Sequence, residues 1–300
     1  MVNSAPIIKR ITVRSVITKS NLPVADYSVN PYIGCTHACK YCYASFMKRF
    51  TGHTEPWGAF LDIKDWSEIK YPEKYAGKEL FFGSVTDPYN LEEAVYERTR
   101  ALLLQLTGCG AKISIATKSN LVLRDLDIIK SFPNARLSWS INTLDDRFQQ
   151  DMDKAVSIER RLTAMEAFYR AGVRSTCFIS PIFPGITDVE AIIKRAKNQC
   201  HLIWLENLNL RGSYKPVIME YIEKNYPPLL PLYRDIYVNG NRSYWKMLDE
   251  KLKSFTAEIG LDYVTNDDSM KRLFDAPPVV VNFFYHEQIK KSAKDSVFMK

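Results

Sequence analysis

The 300-residue chain has no stretch of eighteen consecutive apolar residues, so no segment has the length of a membrane-spanning helix. Its first twenty residues, MVNSAPIIKRITVRSVITKS, lack an uninterrupted apolar run ending in a small-residue cleavage site, which excludes the usual pattern of a secretory leader. These two absences lead to the expectation of a cytoplasmic protein with no membrane partner. No repeat or low-complexity tract is present, which excludes a solenoid. Cysteine is scarce, six in all, and three of them, Cys109, Cys177 and Cys200, stand alone in the sequence. Histidine is scarcer: His37 and His53 have no partner histidine at ligand spacing.

A hydrophobic content of 46% and an aromatic content of 12% are enough for a substantial core, and one large α/β domain with an appendage accounts for the length. The formal charge is +7, and from Met1 to Phe60 seven Lys or Arg face only Asp26 and Glu55. Such an excess favours a polyanion; a solvated basic face explains it equally simply.

The chain alternates. Short apolar or β-branched runs are each followed by a segment with helical spacing: ELFFGSVTDP then LEEAVYERTRALLLQLTG, KISIATKS then DLDIIKSF, ARLSWSINT then SIERRLTAMEAFYRAG, RSTCFISPIF then DVEAIIKRAKNQ, and finally LIWLENLNL. SVNPYIG and an expected helix over KYCYASFMKRF precede them, giving six strand candidates. Asn90 with Glu93, and Thr187 with Glu190, read as capping boxes, and Gly108 and Gly172 as helix ends. Near-continuous apolar strands between helices point to a parallel sheet covered by those helices. The expected fold is α/β, a partial (β/α)6 TIM-like barrel over residues 28–210. An N-terminal segment, 1–27, precedes it, and a mainly helical extension, 211–300, packs on it. Periodicity does not separate such a barrel from an open doubly wound sheet. In either, ligands gather at the carboxyl ends of the strands, where this sequence places Thr86 and Asp87, Lys118 and Ser119, Asn142 and Thr143, and Asn207 and Asn209. Turn and cap chemistry would also put such residues there.

In GCTHACKYCYA, Gly34 to Ala44, Cys35, Cys39 and Cys42 are spaced C-x3-C-x2-C with no fourth cysteine nearby. In a reducing compartment clustered thiols are ligands or catalysts rather than disulfides. A structural zinc site wants four ligands, and the second pair is missing. Three inert buried thiols fit poorly with the interleaved Thr36, His37 and Lys40. An iron-sulfur cubane held by three thiolates leaves one iron open, which suits chemistry rather than bare electron transfer.

The spacing, its place at the end of the first strand of a β/α array, and Tyr41 before the last cysteine resemble the signature of radical S-adenosylmethionine enzymes. FFGSVTDPY, SIATKSN, LSWSINT and CFISPI resemble strands of the spore photoproduct lyase-related branch, over about Pro31 to Leu210. The whole chain is most similar to the radical SAM mobile pair proteins, which are encoded beside a second radical SAM protein. The resemblance implies one 4Fe-4S cluster on Cys35, Cys39 and Cys42, and S-adenosylmethionine bound at its open iron. Reductive cleavage would yield a 5'-deoxyadenosyl radical that abstracts hydrogen from a nucleic acid, a peptide or a protein. It further implies that Tyr41 lies near the adenine, that Thr86, Lys118 and Ser140 contact the cofactor, and that Tyr43 aligns with a radical-relaying tyrosine. An ammonium at a strand's carboxyl end also suits the methionine carboxylate on physical grounds; the plain alternatives are a loop lysine for Lys118 and a packing aromatic for Tyr43. The implied partners are a one-electron donor of flavodoxin or ferredoxin type, a second radical SAM protein, and a nucleic acid. One departure stands out: Ser84 occupies the place of the lyase's reactive cysteine, so hydrogen return from a thiol does not carry over. A cluster-bearing partner that activates a second radical SAM protein without turnover is the alternative function.

After Leu210 the alternation stops. Helices separated by Pro227-Pro228 and Asn239-Gly240-Asn241 are expected, then a strand-like run in APPVVVNFFYHEQI and a frayed basic tail from Lys290 to Lys300. Tyr233, Tyr237, Tyr244 and Trp245 are expected to pack between helices rather than stack on bases.

Overall fold

The structure, a computed structural model, describes residues 5–22, 25–265 and 279–282. The chain forms two compact units. One runs up to Trp139 and includes Asp146–Ser175; the other contains Ser140–Asp145 and the chain from Thr176 onward.

The first unit opens with β1 (Ile7–Thr12), β2 (Ile17–Lys19), β3 (Tyr27–Val29), β4 (Tyr32–Gly34), β5 (Phe60–Asp65) and β6 (Glu79–Phe82). Helices α1 (Glu93–Tyr96) and α2 (Arg98–Leu106), β7 (Lys112–Thr117), α3 (Leu126–Lys130), β8 (Arg136–Ser140), α4 (Asp146–Met152) and α5 (Ile158–Arg170) follow. β3, β6, β7 and β8 run parallel in that spatial order, with β2 antiparallel at the edge. Leu80, Phe82, Ile113, Ile115 and Leu137 are fully or almost fully buried on these strands, which is the pattern of a sheet covered by helices.

The expected first strand, SVNPYIG, divides. Val29 ends β3 in the parallel sheet, and after Asn30-Pro31 the chain leaves it as β4, which pairs antiparallel with β5 while β1 pairs parallel on the other side. Proline has no amide to continue a ladder, so the division falls where the sequence permits it. The first long helix also breaks. Glu97 sits at φ 48°, between α1 and α2.

In the second unit β9 (Arg174–Ile182, all but its first two residues), α6 (Val189–Ala196) and β10 (Leu202–Asn207) precede α7 (Tyr214–Asn225), α8 (Leu230–Tyr237) and α9 (Ser243–Glu258). β11 (Tyr263–Thr265) and β12 (Val279–Asn282) close the described chain. β9, β10, β12 and β11 are parallel neighbours. The helical extension and the valine strand are as the sequence indicates; Lys290–Lys300 lies outside the described residues. Tyr233 and Trp245 are buried, the Tyr237 hydroxyl donates to Leu208 O at 3.0 Å, and the Tyr244 hydroxyl accepts from Gly185 N at 3.0 Å. Tyr233 and Trp245 are thus core, while Tyr237 and Tyr244 are half-buried and bonded to the backbone, so all four pack as expected. No helix among the described residues is long and apolar enough to cross a membrane.

Neither expected capping box closes reciprocally, although the Asn90 side chain caps one-sidedly, its Oδ1 accepting from Glu92 N at 3.1 Å. Asp188, not Thr187, caps α6 through Ala191 N at 3.0 Å, while the Thr187 hydroxyl donates to Asn142 O at 2.8 Å. Glu93 turns away from Asn90 into a buried ionic network. It accepts from Thr99 N at 2.9 Å, Arg100 N at 3.1 Å and the Tyr32 hydroxyl, and pairs with Arg124 Nη2 at 2.7 Å. Arg124 also holds the buried Asp125, which accepts from the Tyr89 hydroxyl at 3.0 Å and from Arg100. The network ties β4 to the segment after β6. Removing Arg124 leaves the buried Glu93 without a counter-charge while Asp125 keeps Arg100, at about 3 kcal/mol. Arg124→Ala is therefore expected to lower the urea midpoint by that equivalent; an unchanged midpoint would show that Arg100 and the backbone donors suffice.

Candidate functional site

The three clustered cysteines occupy successive turns between β4 and a 3-10 helix, Tyr43–Phe50: Ala38 N donates to Cys35 O at 3.1 Å, Cys42 N to Cys39 O at 3.2 Å and Ser45 N to Cys42 O at 3.3 Å. The helix expected over KYCYASFMKRF thus starts only at Tyr43, because Cys39 and Cys42 are held in turns. Two glycines make the loop possible. Gly34 has φ 87°, and a Cβ there would lie 2.4 Å from Phe60 O. Gly58 has φ 93°, and its Cβ would stand 2.6 Å from that of Ala38, itself at φ 47°. The far side of the loop is bonded to the end of α4, Lys40 N to Met152 O at 2.9 Å and Lys154 N to His37 O at 2.7 Å.

Asp87, just past β6, gathers the site. Its carboxylate accepts from Lys118 N at 2.7 Å, from the Thr117 hydroxyl at 2.8 Å and from Tyr89 N at 2.9 Å. His37 Nε2 stands 3.1 Å from Asp87 Oδ2, an ionic contact without aligned hydrogen-bond geometry. Burial opposes the charge on Asp87, but His37, the Lys118 amide and Thr117 hold its pKa below the ordinary carboxylate range.

A second buried carboxylate, Asp153, accepts from Gln149 Nε2 and Arg161 Nη2, both at 2.7 Å, from Ala155 N at 3.1 Å and from the Tyr41 hydroxyl at 3.1 Å. The Lys118 ammonium lies 5.7 Å from the centroid of the Tyr41 ring. Burial pushes the Cys35 thiol up to about 12 and raises Cys39 and Cys42 as well, while Lys118 pulls the last two back toward thiolate. The amides of Ala44 and Ser45 favour the Cys42 thiolate too, as does the buried indole nitrogen of Trp57, which lacks a conventional partner.

Among the described residues no three His, Cys, Asp or Glu side chains converge as ligands of a single ion. Thiolates are the ligand type of iron-sulfur clusters as well as of zinc. The donor set is three thiols, amides aimed at sulfur, and a nearby ammonium.

The remaining candidates fall as follows. Thr86 is buried and its hydroxyl donates to Gly34 O, at the entry to the cysteine loop. The Tyr43 hydroxyl donates to Ser84 O, although the tyrosine remains 58% exposed. The Ser84 hydroxyl is bonded to Asn30, 3.0 Å from its Nδ2. Ser140 ends β8 and belongs to the second unit. Asn142 and Asn207, also in that unit, are buried, with no hydrogen-bond partner for Asn142 Nδ2 and Oδ1 or for Asn207 Oδ1. Cys109, Cys177 and Cys200 are buried free thiols; burial raises the pKa of both Cys177 and Cys200, Cys200 adds to the rise at Cys177, and the Cys177 backbone opposes it at Cys200. Asp153, Gln149 and Arg161 were not legible as site residues, since DMDKAVSIERR reads as a helix end and a helix start.

Residues 29–196 match the family model of the radical SAM superfamily. The chain belongs to the radical SAM superfamily. An uncharacterized protein of Methanocaldococcus jannaschii is 35% identical over 253 residues, spanning 84% of this chain and 94% of that one. A radical SAM Nalpha-GlyT isomerase of Pseudomonas phage M6 is 21% identical over 253 residues, 78% of this chain and 52% of that one. A spore photoproduct lyase variant solved with bound AdoMet and dinucleoside spore photoproduct superposes with a TM-score of 0.54 at 16% identity, over 73% of this chain. The chain spans 66% of that lyase's length. The α/β fold expected from the strand and helix alternation is thus shared with the spore photoproduct lyase-related branch. Radical SAM proteins use S-adenosylmethionine and an iron-sulfur cluster, and the thiol loop lies within the matched span.

Because Asp87 is the common acceptor for the ends of β6 and β7 and faces His37 in the loop, Asp87→Ala is expected to leave three buried donors unpaired and to loosen the thiols. Iron bound per chain after anaerobic reconstitution should fall well below wild type; full iron content in a folded variant would show that the loop holds itself.

Proposed function

We propose that this protein is an enzyme that reductively cleaves S-adenosylmethionine and uses the product to remove a hydrogen atom from a substrate. The observation that carries the reading is the loop of three thiols with no fourth cysteine beside them in the sequence, in a chain that matches the radical SAM family over more than half its length. In this reading Cys35, Cys39 and Cys42 hold one 4Fe-4S cluster. That group supplies the electron that splits the sulfonium into methionine and a 5'-deoxyadenosyl radical, which takes hydrogen from the substrate.

The chain's own part is positional. Lys118 offers an ammonium beside Cys39 and Cys42, where a carboxylate of the methionine moiety would find a charge-assisted partner. Tyr41, fixed through Asp153, offers a ring at the same place for the adenine side of the cofactor. Thr86, whose hydroxyl donates to Gly34 O, and Ser140 are the remaining two proposed cofactor contacts. Tyr43, its hydroxyl on the Ser84 backbone, is the proposed radical-handling residue. The Ser84 hydroxyl, bonded to Asn30, replaces a thiol that would give up hydrogen readily, so hydrogen return to a product radical is assigned to a group other than residue 84. The substrate is taken to be a nucleic acid, peptide or protein; the relatives' named substrates include a dinucleoside photoproduct in the solved lyase.

Cys35→Ala, Cys39→Ala or Cys42→Ala is expected to abolish both the brown absorbance and release of 5'-deoxyadenosine under dithionite. Four irons retained in the triple variant would overturn the assignment. Lys118→Ala should keep its iron and lose roughly ten- to a hundredfold in S-adenosylmethionine affinity, the equivalent of a charged hydrogen bond worth about 1.5 to 3 kcal/mol. Titration followed by the cluster's paramagnetic spectrum reads this directly, and wild-type affinity would return Lys118 to the role of a loop cation. A folded, iron-loaded protein that releases no 5'-deoxyadenosine but binds a second radical SAM protein would favour the non-turnover alternative.

A further inference from the structure

The surface next to the thiols carries a feature that the proposed site uses only at Tyr43. Between Asp26 and Glu55 the sequence has no acidic residue, and Lys40, Lys48 and Arg49 all fall there. The 3-10 helix Tyr43–Phe50 begins at the residue after Cys42 and turns three aromatic rings outward: Tyr43 is 58% exposed, Phe46 44% and Phe50 66%. The Arg49 guanidinium lies over both phenylalanine rings, 5.5 Å from the centroid of Phe46 and 4.6 Å from that of Phe50, so charge and ring are presented together. Ala44 is the helix's buried anchor, and Lys48 Nζ donates to Thr54 O at 2.9 Å, which holds the far end. A large apolar patch kept in water and rimmed with charge marks an interaction surface.

We infer that this face, Lys40 with Tyr43–Phe50, docks an acidic one-electron carrier protein whose redox centre lies at its own surface. The inference rests on the reading that Cys35, Cys39 and Cys42 hold the cluster. Electron transfer weakens steeply with distance, so a carrier must approach the outer side of the ligand loop. Cys39 and Cys42 are half-buried there and Lys40 between them is exposed, whereas Cys35 is buried. The exposed helix follows Cys42 directly along the chain. A segment with three basic residues and no acidic one selects an acidic partner and steers its approach, and redox encounters of this kind use small interfaces. In the step itself one electron leaves the reduced carrier and enters the cluster, with no bond made and no proton required. A nucleic acid would feel the same charge, but nothing in its recognition needs the residue next to Cys42, and the position of the patch therefore favours the carrier.

The test compares two reductants on reconstituted protein. Phe46→Ser/Phe50→Ser and Arg49→Glu change exposed side chains only, and their iron content should equal wild type. With photoreduced flavodoxin as the acidic carrier, bleaching of the cluster absorbance in stopped flow is expected to slow by about tenfold or more in each variant, and wild type should itself slow as salt rises. With dithionite, a small reductant that needs no docking face, all proteins should be reduced at the same rate. Equal flavodoxin rates in variant and wild type would overturn the inference. So would a loss confined to binding of a fluorescent single-stranded oligonucleotide, which would assign the face to nucleic acid. Equal slowing with both reductants would show that the helix supports the cluster rather than the carrier. Failure of wild type to bind iron would instead overturn the cluster reading itself.

Discussion

The geometry around the thiols depends on one buried carboxylate. Asp87 is an acceptor with room for several donors, and donors from different parts of the chain converge on it: the amide after β7, the hydroxyl at the end of β7, and an amide of its own turn. A neutral amide side chain in its place would present a single accepting oxygen. The fourth neighbour, His37, belongs to the cysteine loop, so the same charge that joins two strand ends also fixes the loop that lies over them. A polar centre of this kind is stable only when its members are satisfied together, which is why the loop, the β6 end and the β7 end form one cooperative piece.

The charges are distributed unevenly across the three thiols. Asp87 adds to the burial that disfavours a thiolate at Cys35, whereas Lys118 works against burial at Cys39 and Cys42. Asp153 offsets Lys118 in turn and is itself compensated by Arg161, with Arg161 fully buried. The ammonium is thus shared among sulfur and carboxylate groups instead of being committed to one ion pair, and it stays accessible to another anion. Without metal, burial favours the thiols over thiolates at all three positions.

The β/α alternation was legible because buried parallel strands leave near-continuous apolar runs, and each of the six strand candidates contains a strand. The division of SVNPYIG was not, because three-residue strands on either side of Asn30-Pro31 leave no periodic signal. β1 and β5 were missed for a related reason: IIKRIT and FLDIKD interleave Lys, Arg and Asp with apolar residues, the first because it is largely exposed and the second despite the burial of Phe60 to Ile63. The capping boxes failed where tertiary demand exceeded local preference, since Glu93 gains four donors from elsewhere and Asp188 competes with Thr187. In the site, Cys35, Cys39, Cys42 and Lys118 were readable from spacing and from position at strand ends. Asp153, Gln149 and Arg161 were not, because their partners are reached only through folding. His37 was visible but without meaning until Asp87, fifty residues later, came to face it.

Gly58 and Ala38 carry a consequence for heredity. The path of the cysteine loop is encoded outside the cysteine motif, in a glycine sixteen residues beyond its last thiol whose missing methyl group leaves room for Ala38. A descendant could retain every sulfur and lose the pocket through one methyl group at position 58. Conversely, grafting the eleven-residue motif onto another scaffold would transfer the ligands without the space that shapes them. Comparison of distant relatives by the motif alone would count both as equivalents, although only a chain with a compact residue at position 58 can fold this loop.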